Sequence, residues 1–302
     1  MDKGAFESRY TTAALEALKH FPVAVENVKF VKHSENITFR VSVCNHESDY
    51  VLRLHRPGYN SLKELDSERI WLHALKEAGI PVPVSLLNRE GDHFQLVDIP
   101  ATGEQRYAGM TTWIQGTPLD EYLGTNPDPE MRKRIFRRIG ELAAALHNQS
   151  SGWNEPAGFE RSRLDVEGLL GDAPYWGRFW EHPDLTAAEK ALLQRARERA
   201  RRALVAYGSR PENFGLIHAD LHAENIVYDG EELALIDFDD AAFGWHLYEI
   251  ATALITDRLA PDFAVLRSAL LEGYCEHRPL SKQDVDLLPV FMLIRGMAII
   301  GW

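Results

Sequence analysis

Cysteine is nearly missing from this chain. The two that occur, Cys44 and Cys275, lie far apart and in no Cys-x-x-Cys or other metal spacing, which speaks against a disulfide framework or a thiolate metal site. They read as two buried thiols in a reducing compartment. No run of 18 uninterrupted apolar residues occurs, so no segment is long enough to span a bilayer as a helix. The opening residues Met1–Arg9 hold no basic region followed by an apolar run, and the expectation is a cytoplasmic protein with no membrane partner. Basic residues are in deficit: 33 Lys and Arg against 45 Asp and Glu give a formal charge of -12. That balance disfavours nonspecific binding to nucleic acid or anionic membrane and suits neutral or cationic partners. Internal repeats and low-complexity linkers are absent too. What is present is 302 residues, 45% of them apolar, enough for one large or two modest domains with a sizeable core.

Two patterns divide the chain. Val28–Val31, Thr38–Val43, Tyr50–Leu54, Val84–Asn88 and His93–Asp98 are short, rich in Val, Phe and Leu, and separated by Asn, Ser, Gly or Pro, as in an antiparallel sheet. One helix is inserted, from about Leu62 to Ala78. Ser61 and Glu64 form its capping box, and Gly79 and Pro81 stop it. Beyond Gly116 the periodicity becomes helical. Met131, Ile135, Ile139, Leu142 and Leu146 mark one core helix, and Thr186 with Glu189 opens another that continues through Leu204. The five arginines of that second helix, Arg195 to Arg202, read as a solvated face or a basic patch. Further helices are expected at Leu247–Asp257, Asp262–Gly273 and Asp284–Ile300. The composition shift at Thr112–Gly116 predicts a lobe of residues 1–115 and a lobe of residues 116–302, joined by Trp113–Pro118.

The chemistry gathers in residues 216–240. Ile226–Tyr228 and Leu233–Ile236 are apolar strands around Asp229-Gly230, a strong hairpin signal. Folding that hairpin puts Asn225 and Asp237 at its open end, with Asp220 on the loop that leads into it. Hard oxygen donors suit Mg²⁺, which takes few protein ligands. Asn225 and Asp237 are the candidate metal ligands, and Asp220 is left to deprotonate an attacking hydroxyl. In the first lobe, Glu68 shares a helix face with Leu65, Trp71, Leu72 and Leu75, so its carboxylate needs a cationic partner.

The stretch His218-Ala-Asp220-Leu-His-Ala-Glu-Asn225, followed by Ile236-Asp237-Phe238-Asp239-Asp240, resembles the catalytic and metal-binding motifs of the aminoglycoside phosphotransferase superfamily. The resemblance extends over most of the chain, through Leu142–His147 and the interlobe-like Met110–Pro118. It implies an α+β, protein-kinase-like bilobal fold with a small antiparallel-sheet N-lobe and a large, mainly helical C-lobe. It also implies an ATP-dependent kinase of hydroxyl groups on small molecules such as amino alcohols, sugars or aminoglycosides. In such a fold the cation beside Glu68 is the phosphate-binding residue of the third strand, which here is Arg53 rather than the usual lysine. Ser34 and Asn36 fall in the phosphate-covering loop, which lacks glycine, and the backbone of Thr112, Trp113, Ile114 and Gln115 is where adenine is received.

Other readings stay open at this point. A stress-response-type Ser/Thr protein kinase shares the motifs, and the departures at Arg53 and the loop suit a catalytically silent nucleotide-binding module. The triplet His218, Asp220, His222 also has transition-metal spacing, as in a hydrolase. Asp239 either assists the metal or is solvated, and Glu249 is structural, placed where relatives brace the loop with an aspartate. Trp153, Tyr175, Trp176, Phe179 and Trp180 either wall an acceptor site or pack a helical core.

Overall fold

The computed structural model describes residues 3–44, 48–126 and 128–302, with side chains except at Lys3 and Ala5. The chain forms two compact units, Met1–Gln115 with Ala157–Glu160, and Gly116–Pro156 with Arg161–Trp302. The part of the N-terminal reading that rests on Met1 and Asp2 lies outside the described residues.

Unit 1 contains α1 (Lys3–Leu18), β1 (Val25–His33), β2 (Ile37–Val43), β3 (Tyr50–Leu54), α2 (Leu62–Glu77), β4 (Ser85–Leu86), β5 (Phe94–Asp98) and β6 (Gln105–Thr112). The sheet runs β1-β2-β3-β6, with β4 and β5 sharing the far edge of β6, and every pairing is antiparallel. Strict alternation along β2 turns Ile37, Phe39, Val41 and Val43 inward. They meet Leu52, Leu54, Ala108 and Met110 from neighbouring strands, and Tyr10, Ala13, Ala14 and Ala17 of α1.

The single helix inserted among the strands is α2, as expected, and α1, ahead of β1, adds a second helix to the unit. The inward stripe of α1 is mostly alanine, which carries little hydrophobic signal, and a helix of this length is marginal in isolation. Packing on the sheet holds it. The capping box of α2 is present as expected: Ser61 Oγ accepts from Glu64 N at 3.2 Å, and Ser61 N donates to Glu64 Oε2 at 2.9 Å. Gly79 leaves the helix at φ +81. β6 occupies residues expected to be partly connection, because Tyr50–Leu54 pairs with Ala108–Thr112 along its whole length.

Unit 2 contains β7 (Thr117–Pro118), α3 (Leu119–Thr125), α4 (Pro129–Gly152), β8 (Arg163–Leu164), α5 (Val166–Leu170), α6 (Ala187–Tyr207), β9 (Phe214–Ile217), β10 (Ile226–Tyr228), β11 (Leu233–Leu235), β12 (Ala242–Trp245), α7 (His246–Ile255), α8 (Phe263–His277) and α9 (Lys282–Gly301). Its centre is α7, every residue of which is buried. The helices α4 and α8 approach backbone to backbone. A Cβ on Gly140 would lie 2.0 Å from Leu270 O, and one on Gly273 would lie 2.0 Å from Arg137 O. The arginines of α6 are partly structural: Arg197 Nη2 reaches Asp172 Oδ1 at 2.8 Å and Arg201 pairs with Glu167.

Both cysteines are exposed and free, contrary to the expectation of buried thiols. Cys44 sits just past the end of β2, beyond the sheet's inward face, and Cys275 lies between the inward residues Leu270 and Tyr274 and the end of α8. Among the described residues no helix is long and apolar enough to cross a membrane.

Candidate active site

The hairpin folds as the Asp-Gly signal suggests, with Ile226, Val227 and Tyr228 opposite Leu235, Ala234 and Leu233. Its connection is longer than a two-residue turn: Asp229 Oδ1 accepts from Glu231 N at 2.8 Å and from Glu232 N at 2.7 Å, closing a four-residue loop. At the open end Ile236 N donates to Asn225 O at 3.0 Å. That bond sets Asn225 opposite the residue just before Asp237. β7 adds a third strand, pairing Val227 with Pro118 and Tyr228 with Thr117.

Asp220 is brought to Asn225 by direct contact. Asn225 Nδ2 donates to Asp220 Oδ2 at 2.8 Å and to Asp220 O at 3.0 Å. Because both partners only accept, the nitrogen must be the end of the amide turned toward them. The Asn225 amide oxygen is then the donor atom left for a cation. That oxygen and the Asp237 carboxylate are hard donors of the kind that could serve Mg²⁺, an ion satisfied by one or two protein ligands plus water and phosphate.

Two non-glycine residues here adopt left-handed backbone, Ala219 at φ 67 and Asp237 at φ 64. Such conformations cost about 1 kcal/mol each and persist where surrounding bonds dictate them. For Ala219 those bonds come from Glu249 on α7: its carboxylate accepts from His218 N at 2.7 Å and Ala219 N at 2.8 Å. Burial pushes the Glu249 carboxyl up to about 7, against the pull of His218 and of the two amides. For the loop after Asp237 the bracing cation is Arg161, which donates to Ala241 O at 2.5 Å, Asp239 O at 2.7 Å and Phe238 O at 3.2 Å.

His218 is fully buried and turned inward. Its Nε2 bonds Ile236 O at 2.9 Å and its Nδ1 accepts from Asp220 N at 3.3 Å. With both nitrogens engaged, it is not presented as a metal ligand. His222 Nε2 lies 3.0 Å from Asp220 Oδ2. Burial lowers the affinity of this imidazole for a proton, but the Asp220 hydrogen bond and charge outweigh it and raise its pKa. Burial alone would raise the Asp220 carboxyl. The His222 hydrogen bond and the charges of Arg295 and His222 hold it well below the usual carboxylate range instead.

Arg295 was not legible as a site residue. It arrives from α9, and its Nη2 stands 2.5 Å from Asp220 Oδ1. The aromatics of the acceptor-wall expectation mostly pack the core. Trp176, Phe179 and Trp180 are all buried core; Trp176 in addition stacks on Tyr248 with centroids 5.9 Å apart and has the Arg295 guanidinium 5.7 Å from its ring centroid, while Tyr175 packs edge-on against Trp176.

In unit 1, Arg53 lies on β3 opposite Thr38 and Gly109. Glu68 is buried on α2, with the guanidinium of the next residue, Arg69, 3.5 Å from its carboxylate. A Cβ on Gly109 would meet Arg69 Nη2 at 3.2 Å. Cross-strand partners share a face, so Arg53 and the Glu68–Arg69 pair lie on one side of the sheet. Arg69 falls on the same helical stripe as Leu65 and Leu72, a signal open to the periodicity argument that found Glu68. Asn36 is buried, and its Oδ1 accepts from Arg56 N at 2.8 Å; Ser34 N donates to Asn36 O at 3.3 Å. Thr112 N donates to Val84 O and Trp113 N to Asp49 O, each at 2.9 Å. The amides of Thr112 and Trp113, two of the four residues expected to receive adenine, are thus already engaged.

The sequence profile of the phosphotransferase enzyme family, APH, matches residues 28–282. The chain belongs to this family. Among solved structures similar to it, a microcompartment-associated aminopropanol kinase is 33% identical with a TM-score of 0.84, covering 97% of this chain and 88% of that one. Homoserine kinase of Agrobacterium fabrum is 27% identical over 300 residues, 97% of this chain and 81% of its own length. An amicoumacin kinase solved with AMP-PNP, Ca²⁺ and Ami shares the fold at 19% identity and a TM-score of 0.80, over 100% of this chain and 88% of that one. The fold is α+β and protein-kinase-like, and this member of the phosphotransferase family is an enzyme.

Proposed function

We propose that the chain is an ATP-dependent kinase of small hydroxyl-bearing amines, short amino alcohols foremost. The observation that carries the reading is the arrangement of Asn225: its amide nitrogen is spent on Asp220, so its oxygen is the atom that would serve a cation, with Asp237 next to the Ile236 whose amide bonds Asn225 O. A Mg²⁺ ion held there would neutralise charge on the transferred phosphoryl group. The relatives support the acceptor class, since one similar structure is an aminopropanol kinase and another relative a homoserine kinase. The chain's acidic balance also suits a cationic acceptor.

The roles follow from chemistry. Asp220 orients the acceptor hydroxyl and takes its proton while the oxygen forms its bond to the γ-phosphorus. The bond from that phosphorus to the bridging oxygen breaks, and ADP leaves with the electron pair. A carboxylate as weakly basic as Asp220 accepts the proton late, which fits the loose transition state of phosphoryl transfer. In unit 1, Arg53 pairs with nucleotide phosphates and the backbone of Ile114 and Gln115 with adenine. Ser34 acts through its loop backbone, and Glu68 and Asn36 act as supports, through Arg69 and Arg56.

The test is ADP release with Mg²⁺ and ATP across 1-amino-2-propanol, ethanolamine, homoserine, a sugar, an aminoglycoside and a generic protein substrate. Transfer to an amino alcohol is expected. Tight ATP binding without transfer to any acceptor would establish a silent nucleotide-binding module instead. Asp220→Asn should lower kcat by about 10³-fold or more while sparing nucleotide affinity; full turnover by that variant refutes the role given to Asp220.

A further inference from the structure

The base of this site is held by a residue that none of the motifs includes. Asp220 has two carboxylate oxygens, each with room for two hydrogen bonds. Oδ2 is filled by His222 Nε2 at 3.0 Å and Asn225 Nδ2 at 2.8 Å. Oδ1 is half filled, by Arg295 Nη2 at 2.5 Å. One acceptor position remains, on Oδ1, beside the guanidinium.

Arg295 is itself placed with care. Its side chain is 12% exposed, Trp176 lies against it, and Nη1 is 3.4 Å from the hydroxyl of the fully buried Tyr248. Its Nε is buried with no hydrogen-bond partner among the described residues. A desolvated cation with an unmet donor is a poor way to stabilise a fold, because the lost hydration is only partly returned. What the position does provide is a rigid second anchor for Asp220, delivered from the last helix, 75 residues beyond it.

We infer that Arg295 is a positioning residue for phosphoryl transfer, fixing the Asp220 carboxylate so that a single lone pair of Oδ1 faces the acceptor hydroxyl. This rests on the kinase reading above. With Oδ2 tied to His222 and Asn225 and Oδ1 tied to Arg295, the carboxylate cannot rotate about its bond to Cβ. The incoming hydroxyl meets one geometry rather than several. Arg295 touches the base and not the phosphate, so its loss should act on turnover and leave nucleotide affinity alone.

The experiment compares wild type, Arg295→Ala and Arg295→Lys at saturating Mg-ATP, with the best acceptor found for the wild type. Arg295→Ala is expected to lower kcat by about 10²-fold, the scale of a misplaced catalytic group, with KM for Mg-ATP unchanged and part of the rate restored by millimolar guanidinium. Arg295→Lys keeps the charge but loses the stacked planar fork, and should lie between the two, at least about 10-fold below wild type. Wild-type kcat in either variant overturns the inference while leaving the kinase reading intact. So does a loss that guanidinium does not reverse and that weakens Mg-ATP binding equally, since that is the mark of a merely structural residue. Absence of transfer by the wild-type chain to every acceptor overturns both readings together.

Discussion

The polar groups of the two units are assembled in opposite ways. In unit 2, Asp220, Asn225 and Asp237 belong to one short stretch, and a single hairpin closes them together through the Ile236 to Asn225 backbone bond. In unit 1, Arg53 comes from β3, Glu68 and Arg69 from α2, and Ile114 and Gln115 from the segment after β6, with the cross-strand pairing of Arg53 and Gly109 setting the first two on one face. A locally built site fixes each side chain by hydrogen bonds to its neighbours, so a substitution there removes a chemical role. A site gathered from separate elements spreads its task over several charges, and losing one weakens binding by degrees. Asp237→Ala should therefore lower kcat by about 10³-fold or more, while Arg53→Met raises KM for Mg-ATP by about 10-fold and changes kcat less. Steady-state kinetics on both variants decides it. If Arg53→Met abolishes turnover and Asp237→Ala does not, the contrast between the units is the reverse of the one drawn.

The same contrast explains what could be read in advance. The hairpin, the Ser61 and Thr186 capping boxes and the long amphipathic helices depend on neighbours a few residues away, and each appears where the pattern placed it. That Asp220, Asn225 and Asp237 gather around one hairpin could be read for the same reason. Arg295, Arg161 and the two amides on Glu249 could not, because each contact joins positions 30 or more residues apart, at 75, 77 and 31, and no periodicity marks the partner. The helix α1 escaped for a different reason: alanine packs well against a sheet but hardly raises the hydrophobic pattern.

How far the local site depends on its distant scaffold can be measured at the crossing of α4 and α8. A methyl group on Gly140 has no space, because Leu270 O would lie 2.0 Å away and is backbone rather than a side chain that can swing aside. Gly140→Ala should cost about 3 kcal/mol in urea unfolding, an overpacking penalty. Gly124→Ala, in α3 with open space around it, should instead be neutral or stabilise by a few tenths of a kcal/mol. If the site is as local as its hairpin, the folded fraction of Gly140→Ala keeps the wild-type kcat. A fall in kcat that tracks the loss of stability would show that the helix crossing shapes the site as well.

Glu249 is the point where the two kinds of construction meet, since a buried carboxylate of α7 holds the amides of the local loop. Burial raises its folded pKa from 4.5 to about 7, so the folded chain binds this proton more tightly than the unfolded chain does. The stability this provides is complete below about pH 4.5 and is lost as the pH rises through about 7. Buried His147 and His246, both held below the ordinary imidazole value chiefly by burial, act in the opposite direction, with stability lost as the pH falls below 6.5. Wild type alone therefore shows a blend of the two. Glu249→Gln keeps both histidines and removes the titrating carboxyl, so the difference between the two chains isolates it. Between pH 5 and pH 8 that difference should move in favour of the variant by about 2 kcal/mol, read from denaturant unfolding at each pH. A constant difference across the range would mean that Glu249 stays ionised throughout, and that the loop before Asp220 is braced by a full negative charge rather than by a carboxyl poised near neutrality.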